Sequence, residues 1–171
     1  MTKSNSSVAE SAYRSFVRTT GLFRNRMDPY FASFGITAAQ WGVLRTLQRA
    51  EAEGLVGLRL TDLGKRLLVQ PPSMTGVVER LQRSGLVART TATDDLRAKQ
   101  VRLTAAGHAL LARVLRHHPK QIQTIMAGLN PQEQADLHRL MERMAAHLET
   151  IGAPGGPLSA PALPIVERPT P

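Results

Sequence analysis

Residues 69–90 read VQPPSMTGVVERLQRSGLVART, and this stretch predicts a helix that begins at two prolines. Proline has no backbone N–H, and the first N–H groups of a helix have no partner within it, so Pro71 and Pro72 fit the first turn. Gln70 is the expected cap at the start and Gly85 the expected cap at the end. Four apolar residues at the spacing of one helix face are predicted to be buried: Met74, Val77, Val78 and Leu81.

The outward face of this helix combines small residues with arginines, since successive side chains rotate by about 100°. Ser73, Thr75 and Gly76 would let the first turns approach base edges in a DNA major groove. Arg80 and Arg83, farther along, would reach a base or a phosphate. Gly76 costs about 1 kcal/mol of helix propensity relative to alanine, and close approach to DNA would explain its presence. The alternative is an ordinary surface helix with solvated arginines.

The segments on either side of this helix predict a winged helix-turn-helix. Thr61-Asp62 indicates the start of a short preceding helix. The segments 86–90 and 99–103 alternate apolar and polar side chains around TATDDLRA, which predicts an antiparallel hairpin with a charged tip. Residues 59–102 hold nine Lys and Arg against four Asp and Glu, a balance of +5. The excess positive charge therefore coincides with the elements that would contact DNA.

Further helices are predicted on both sides of this core. Thr37 to Gln40 has the form of a capping box, and Thr104 and Asn130 precede two later helices. Pro119 is expected to kink or divide the helix after Thr104, because an interior proline removes one hydrogen bond and clashes with the preceding turn. The expected helix bounds are about 8–33, 38–50, 105–128 and 131–150.

The composition restricts the classes of function. The 171 residues carry a formal net charge of +9, so nucleic acid is the first partner to expect and an anionic membrane surface the second. No cysteine is present, which excludes disulfides and thiolate chemistry. No stretch approaches the roughly 20 apolar residues of a spanning helix, so the protein is expected to be soluble and cytoplasmic. The motifs of nucleotide-binding and hydrolytic enzymes are missing, and neither an enzymatic activity nor a cofactor is expected.

The adjacent residues His117 and His118 raise the question of a metal site. Neighbouring side chains on a helix point about 100° apart and rarely bind one ion together. No metal site is therefore expected.

Two motifs within residues 60–111 carry a resemblance to a known family. The first is Arg80-Leu81 followed by Ser84-Gly85-Leu86-Val87, and the second is Asp95-x-Arg97 followed by Leu103-Thr104-x-x-Gly107. Together they are similar to the DNA-binding core of the MarR family of bacterial transcription regulators. The likeness extends less sharply from about Ser11 to Thr150. Two positions depart from it: Gly76 stands where many relatives carry an arginine, and Pro119 interrupts a helix that is usually continuous.

The resemblance implies a homodimer whose terminal helices interlock. It places the recognition helix at 71–84 and the wing at 91–99. Two-fold symmetry then implies a pseudo-palindromic operator with half-sites about 10 bp apart. The expected bounds are 1–7 for a flexible N-terminus, 8–151 for the domain, about 37–104 for its winged helix-turn-helix core, about 8–33 and 105–151 for its dimerisation helices, and 152–171 for a disordered tail rich in proline and glycine.

The residues expected to contact DNA lie on the recognition helix and the wing. Asp95 would hold Arg97 extended for a minor groove, whose negative potential attracts arginine. A solvated turn is the alternative for the wing tip. The full expected set is Gln70, Ser73, Thr75, Gly76, Arg80, Arg83, Asp95, Arg97 and Lys99.

An effector site is expected where the long helices meet the DNA-binding lobe, because MarR-like proteins often bind small aromatic acids there. Phe16, Phe23 and Trp41 would form its walls, and Arg45 would pair with a carboxylate. Core packing is the alternative for the three aromatic residues.

The function that these features predict is a dimeric, sequence-specific transcription regulator, more often a repressor, released by a small aromatic or anionic effector. A second hypothesis is a nonspecific architectural protein that coats DNA and has no effector. A third is a helical protein-interaction module that does not bind DNA at moderate salt.

Overall fold

The computed structural model describes residues 2–67, 71–91 and 99–151, which form six helices and three strands. The mostly helical fold with a small β-wing is the predicted class, and it is confirmed. The chain divides into two compact units between Ile122 and Gln123. The elements are α1 (Thr2–Ala32), α2 (Ala38–Ala52), β1 (Leu58–Arg59), α3 (Leu60–Leu67), α4 (Pro71–Arg83), β2 (Val87–Thr91), β3 (Lys99–Leu103), α5 (Ala105–Met126) and α6 (Pro131–Ile151).

Helix α2 is the central element of the first unit, and its start is set by the predicted capping box. The Gln40 backbone N–H donates to Thr37 Oγ1 at 3.2 Å, and the Thr37 N–H donates to Gln40 Oε1 at 2.8 Å. Two N–H groups that the helix cannot satisfy are thereby paired. Seven of the residues of α2 are buried: Gln40, Trp41, Val43, Leu44, Thr46, Leu47 and Ala50.

Helix α4 is anchored on the face that the sequence predicts. Its four apolar residues are all buried, with Val78 and Leu81 fully enclosed. The helix ends in a Schellman motif, in which Leu86 N–H donates to the Leu81 carbonyl and Gly85 N–H to the Gln82 carbonyl. Gly85 has a φ of 69°, a conformation that residues with side chains rarely adopt. The predicted buried face of α4 and the predicted glycine cap at its end are therefore both confirmed.

The wing belongs to a three-stranded antiparallel sheet with strand order β1-β3-β2. The predicted hairpin is confirmed: Val87 pairs with Leu103 at its base and Thr91 with Lys99 at its outer end. Strand β1 adds Leu58 opposite Val101, a pairing that the hairpin pattern does not reveal. The inward face of the sheet thus carries apolar residues that close the core beneath α4.

The start of α5 packs directly against the turn between α4 and β2. Thr104 N–H donates to the Leu86 carbonyl at 3.2 Å, and Thr104 Oγ1 donates to the Gly85 carbonyl at 2.6 Å. A Cβ atom at Gly107 would lie only 2.2 Å from the Leu86 carbonyl oxygen. Glycine at this position is therefore required by the close approach of the two backbones, which explains part of the Leu-Thr-x-x-Gly motif.

Two predicted helix boundaries are wrong. Helix α1 begins at Thr2, six residues before the expected Val8, so the described part of the N-terminal segment continues the helix. Helix α5 extends from Ala105 to Met126 with Pro119 inside it, so the expected division of the helix at this proline is wrong.

The second unit contains the end of α5 and helix α6. Asn130 Oδ1 accepts from the Glu133 N–H at 2.9 Å, and Glu133 Oε2 accepts from the Asn130 N–H at 2.8 Å. The predicted cap is therefore confirmed as a reciprocal pair. No residue of α6 is buried, and its apolar stripe is exposed.

Some predicted features lie outside the described residues, namely the tail at 152–171, the cap residue Gln70 and the wing tip with Asp95 and Arg97. Within the ranges that are described, none of the helices has the length and apolar content needed to cross a membrane.

Candidate nucleic-acid interface and ligand cavity

The outward face of α4 is accessible as the sequence predicts. Ser73, Arg80 and Arg83 are exposed, while Thr75 and Gly76 are half-buried. The buried side of the same helix holds it against the core, so the outward residues stand on a fixed support. The face presents small side chains near the start of the helix and two guanidinium groups toward its end.

Arg80 lies back over Gly76 along the outward face of α4. A Cβ atom at Gly76 would be 3.6 Å from Arg80 Nη1, and no other contact of that Cβ is as close. The guanidinium group therefore occupies the space beside position 76 that a longer side chain there would fill. Arg80 thus brings a guanidinium group to the part of the surface beside Gly76.

Lys99 is the described member of the predicted wing contacts. It is exposed at the start of β3, where it pairs with Thr91 across the hairpin. The structure therefore presents one wing cation to solvent at the outer end of the described strands.

Arg66, on α3, is engaged within the protein. Its guanidinium donates two hydrogen bonds to the Glu53 carboxylate, at 3.0 and 2.7 Å. These hydrogen bonds lower the pKa of Glu53, and the positive charge of Arg66 acts in the same direction. The pair ties α3 to the residue that follows α2, next to the helix-turn-helix.

A cavity of about 360 Å³ opens in the first unit between α1, α2 and α5. Phe23 and Trp41, two of the predicted effector-site residues, both line it. Phe16 and Arg45, the other two, are not among its lining residues. The full lining is Thr20, Phe23, Arg24, Met27, Asp28, Phe31, Ala38, Trp41, His118 and Ile122.

The inner wall of the cavity is a cluster of aromatic rings. Phe31 stacks on Trp41 with centroids 5.5 Å apart and an interplanar angle of 28°. His118 lies 5.2 Å from the Trp41 ring and 6.1 Å from the Phe31 ring. Tyr30 packs edge-on against Phe31 at 5.3 Å and donates its hydroxyl to the Val114 carbonyl at 3.2 Å. Burial raises the pKa of Tyr30, so its hydroxyl remains protonated.

The sequence model of the MarR family matches residues 34–98 of the chain, which hold the helix-turn-helix. A crystal structure of a probable transcriptional regulator from Pseudomonas aeruginosa is 30% identical, with a TM-score of 0.61, and the match covers 73% of this chain and 95% of that one. The chain belongs to the MarR family.

Two further transcriptional regulators are similar to the chain. The HTH-type transcriptional regulator PecS of Dickeya dadantii (strain 3937) is 25% identical over 77% of this chain and 78% of its own. The PcaV transcriptional regulator of Streptomyces coelicolor, solved with its natural ligand, is 29% identical over 65% of this chain and 75% of that one, with a TM-score of 0.57. This MarR-family protein is a DNA-binding transcription regulator and not an enzyme, as the sequence predicts.

Sequence reasoning missed His118 as a cavity residue of this MarR-family protein. The signal was present, because His118 follows Leu111 and Val114 and precedes Ile122 at steps of three and four. That spacing places the histidine on the inward stripe of α5, whereas the exposed His117 contacts Phe34 with ring centroids 6.3 Å apart. In the parts of the chain that are described, no three His, Asp or Glu side chains form a group able to hold a metal ion.

A second residue that sequence reasoning missed is Arg89, on β2. It shares the inward face of the strand with Val87, and its Nε and Nη2 atoms are enclosed without a hydrogen-bond partner among residues 2–67, 71–91 and 99–151. Enclosed N–H groups without an acceptor cost free energy. Strand alternation places Arg89 two residues after Val87, which is the signal that would have found it.

Proposed function

We propose that this MarR-family protein is a homodimeric cytoplasmic repressor that binds a pseudo-palindromic operator and is released from it by a small aromatic or anionic effector. The observation that carries the proposal is the outward face of α4, where accessible small residues and arginines stand on a fully buried apolar anchor. Regulators of this family are often repressors.

Base readout is proposed for the first turns of α4. Ser73 and Thr75 are short enough for the helix backbone to approach base edges, and the absence of a side chain at Gly76 extends that approach. Arg80 would then read a guanine, since its guanidinium lies beside position 76. Bidentate contacts between arginine and guanine are the commonest specific contacts in the major groove.

Phosphate contacts are proposed for Arg83 and Lys99, which are exposed at the end of α4 and at the wing. The wing tip, with Arg97 oriented by Asp95, is proposed to enter the adjacent minor groove, as the sequence predicts. The formal charge of +9 supports this interface, because cations that neutralise phosphates release counterions from DNA. A contact with DNA is also proposed for Gln70, which precedes α4.

Dimerisation is proposed through apolar faces that each unit leaves exposed. On α6, Leu140, Met144 and Leu148 are between 37 and 50% exposed. On α1, Val8, Tyr13, Phe16, Val17, Leu22 and Phe23 are likewise exposed. Apolar surface of this extent marks an interaction site. Two copies related by two-fold symmetry would place recognition helices about one DNA turn, or roughly 10 bp, apart.

Effector binding is proposed at the aromatic cavity of the first unit. Its volume of about 360 Å³ lies near the lower end of ligand pockets, which run from roughly 300 to 1,000 Å³. A ligand with one or two rings fits that size. An effector would weaken DNA binding only to the extent that it binds better to a dimer whose recognition helices no longer match the half-site spacing.

A footprinting experiment on the intergenic DNA upstream of the gene tests the DNA-binding part of this proposal. We expect two protected segments whose centres are about one helical turn apart. Arg80→Ala should raise the protein concentration needed for protection, and Arg139→Ala, which alters an exposed arginine of α6 bound to Asp136, should not. Uniform protection along the fragment, unaffected by any ligand, would instead support a nonspecific architectural protein.

A fluorescence anisotropy experiment with the labelled protected site tests the effector part. Small aromatic carboxylates are added to the complex, and we expect one or more of them to release the DNA. Phe23→Ala removes an aromatic wall of the cavity and should abolish the release by the ligand. If no aromatic or anionic ligand changes the anisotropy, the repressor has no effector of this class.

A further inference from the structure

Helix α4 carries a single acidic residue, Glu79. Its side chain is exposed, and a rotation of about 100° per residue places it about 150° from the centre of the buried apolar stripe. On the same outward surface Gly76 lies one turn before Glu79, and Arg83 lies one turn after it. Glu79 therefore stands in the middle of the face that is proposed to enter the major groove.

The Glu79 carboxylate is open to contacts from outside the protein. Arg83 follows at the four-residue spacing at which a glutamate and an arginine can pair along a helix. In the part of the chain that the structure describes, however, the side chain of Glu79 forms no hydrogen bond and no ion pair. A surface recess of about 400 Å³ is lined by Glu79, Gln82 and Arg83. The carboxylate can therefore accept hydrogen bonds from a molecule that lies against this face.

DNA offers few hydrogen-bond donors to a carboxylate. An ionised carboxylate can only accept hydrogen bonds, and the phosphates along the duplex are negatively charged as well. In the major groove guanine N7 and O6, thymine O4 and adenine N7 are also acceptors, and only the amino groups of cytosine and adenine donate. A carboxylate that loses its water against an acceptor gains no hydrogen bond in return. Most sequences are therefore unfavourable for Glu79, and a base that places an amino group opposite it is the exception.

Cytosine fits Glu79 better than adenine does. The adenine amino group stands beside the N7 acceptor of the same base, and that pair of groups matches the amide of asparagine or glutamine. The cytosine amino group has no acceptor beside it on its own base, and the partner guanine presents O6 and N7. Arg80, whose guanidinium lies beside Gly76 on the same face, has the donors that O6 and N7 require. One carboxylate and one guanidinium therefore match the two bases of a G·C pair, or of neighbouring G·C pairs.

We propose that Glu79 is a specificity-determining residue: its carboxylate accepts a hydrogen bond from the amino group of a cytosine in each half-site and disfavours DNA that has no cytosine there. The inference rests on the proposed operator binding by α4 and deepens it, since it names one base that each recognition helix selects. Arg83 and Lys99 attract any DNA through its phosphates, whereas Glu79 lowers the affinity for all but the correct sequences.

Glu79→Gln should act in opposite directions on different DNA. Glutamine has nearly the same shape as glutamate but no charge, so the repulsion from phosphates disappears and the affinity for a shuffled duplex should rise. Its amide has both a donor and an acceptor, which suit adenine. The wild type should lose about fivefold or more in affinity when the selected C·G pair becomes A·T in both half-sites. That loss should be several-fold smaller in Glu79→Gln.

Competition fluorescence anisotropy with the footprinted operator provides the assay. Each base pair of the half-sites is changed in turn, in both half-sites together, and the affinity of the full chain for every duplex is measured at one salt concentration. Glu142→Gln is the matched control, because it removes the same charge from an exposed side chain of α6. The control should keep the base preferences of the wild type at every position.

The expected result is a position at which the wild type prefers cytosine and Glu79→Gln has lost most of that preference. A Glu79→Gln variant that keeps every base preference of the wild type would overturn the role of Glu79 and leave operator binding intact. A change of affinity by one common factor for all duplexes would do the same. A footprint without a preferred site would instead contradict operator binding itself, and with it the selection of cytosine.

A modified operator tests the same contact with the unmodified protein, which covers the case in which Glu79→Gln does not fold. Each cytosine that the wild type prefers is replaced in turn by pyrimidin-2-one, which lacks the 4-amino group but leaves the partner guanine in place. For one of them the affinity should fall about fivefold or more. The same replacement outside the half-sites should have no effect. If no replacement within the half-sites changes the affinity, α4 contacts no cytosine amino group and the role of Glu79 is wrong.

Discussion

Gly107→Ala tests the close contact between the start of α5 and the turn after α4. The new Cβ would lie 2.2 Å from the Leu86 carbonyl oxygen and 3.3 Å from Leu103 Cδ2. A relaxed carbon–oxygen contact is about 3.3 Å or longer, so the two backbones must separate by about 1 Å. The clashing oxygen belongs to the backbone, so the clash cannot be relieved by a change of side-chain rotamer.

The expected cost follows from what that separation disturbs. Overpacking costs about 1–3 kcal/mol. The hydrogen bonds from Thr104 to Leu86 and Gly85 contribute about 0.5–1.5 kcal/mol each. The better helix propensity of alanine returns about 1 kcal/mol. We therefore expect the free energy of unfolding to fall by about 3 kcal/mol.

Urea unfolding followed by Trp41 fluorescence measures this change, with all variants at one protein concentration because a dimer gains stability by mass action. Gly76→Ala is the matched control, since its Cβ meets only the end of the flexible Arg80 side chain, at 3.6 Å. That control should gain about 1 kcal/mol. If Gly107→Ala unfolds at the wild-type urea concentration, the close approach of the two backbones is refuted.

Three further variants address the dimer, the cavity and the recognition helix. Met144→Glu places a charge in an apolar face and should weaken the dimer at least about tenfold in sedimentation equilibrium. Glu142→Lys, on the opposite face of α6, should leave the dimer unchanged. A wild-type chain that sediments as a monomer would contradict the proposed interface. Because burial lowers the folded pKa of His118, the unfolded chain binds its proton first, so stability is complete above about pH 6.5 and declines as the pH falls below it. The urea midpoint of His118→Gln should therefore fall less steeply with decreasing pH than that of the wild type. If the two pH profiles are the same, the lowered pKa of His118 does not contribute to the loss of stability in acid. Arg80→Ala should cost about 1–3 kcal/mol of discrimination at one base pair in competition binding, and an equal loss on all sequences would identify a phosphate contact instead.

Much of α4 was predictable because its signals are local. The spacing of Met74 to Leu81, the cap at Gly85 and the hairpin that follows each depend on residues a few positions apart. The same is true of the capping box at Thr37 and Gln40. Such patterns act through hydrogen bonds and helix geometry that require no knowledge of distant segments.

The ligand cavity was predictable only in part, because it depends on how α1 meets α2 and α5. The apolar pattern of α1 is longer than the core it covers, and periodicity alone does not decide which turn is buried. The sequence therefore favoured Phe16, whereas the structure leaves that residue 42% exposed and buries Met27 and Phe31. Arg45 was expected to face the ligand, but it acts on His118 from outside the lining.

The most direct test of the account is the ratio of affinities for the footprinted operator and for a shuffled duplex of equal length, measured across a salt series. Specific regulators prefer their site by about 10³-fold or more at physiological salt. We expect a ratio of that order, reduced by Ser73→Ala or Thr75→Ala, while Arg97→Ala weakens binding to both duplexes and lowers the salt dependence. Equal affinity for the two duplexes at every salt concentration would contradict sequence-specific operator recognition by α4.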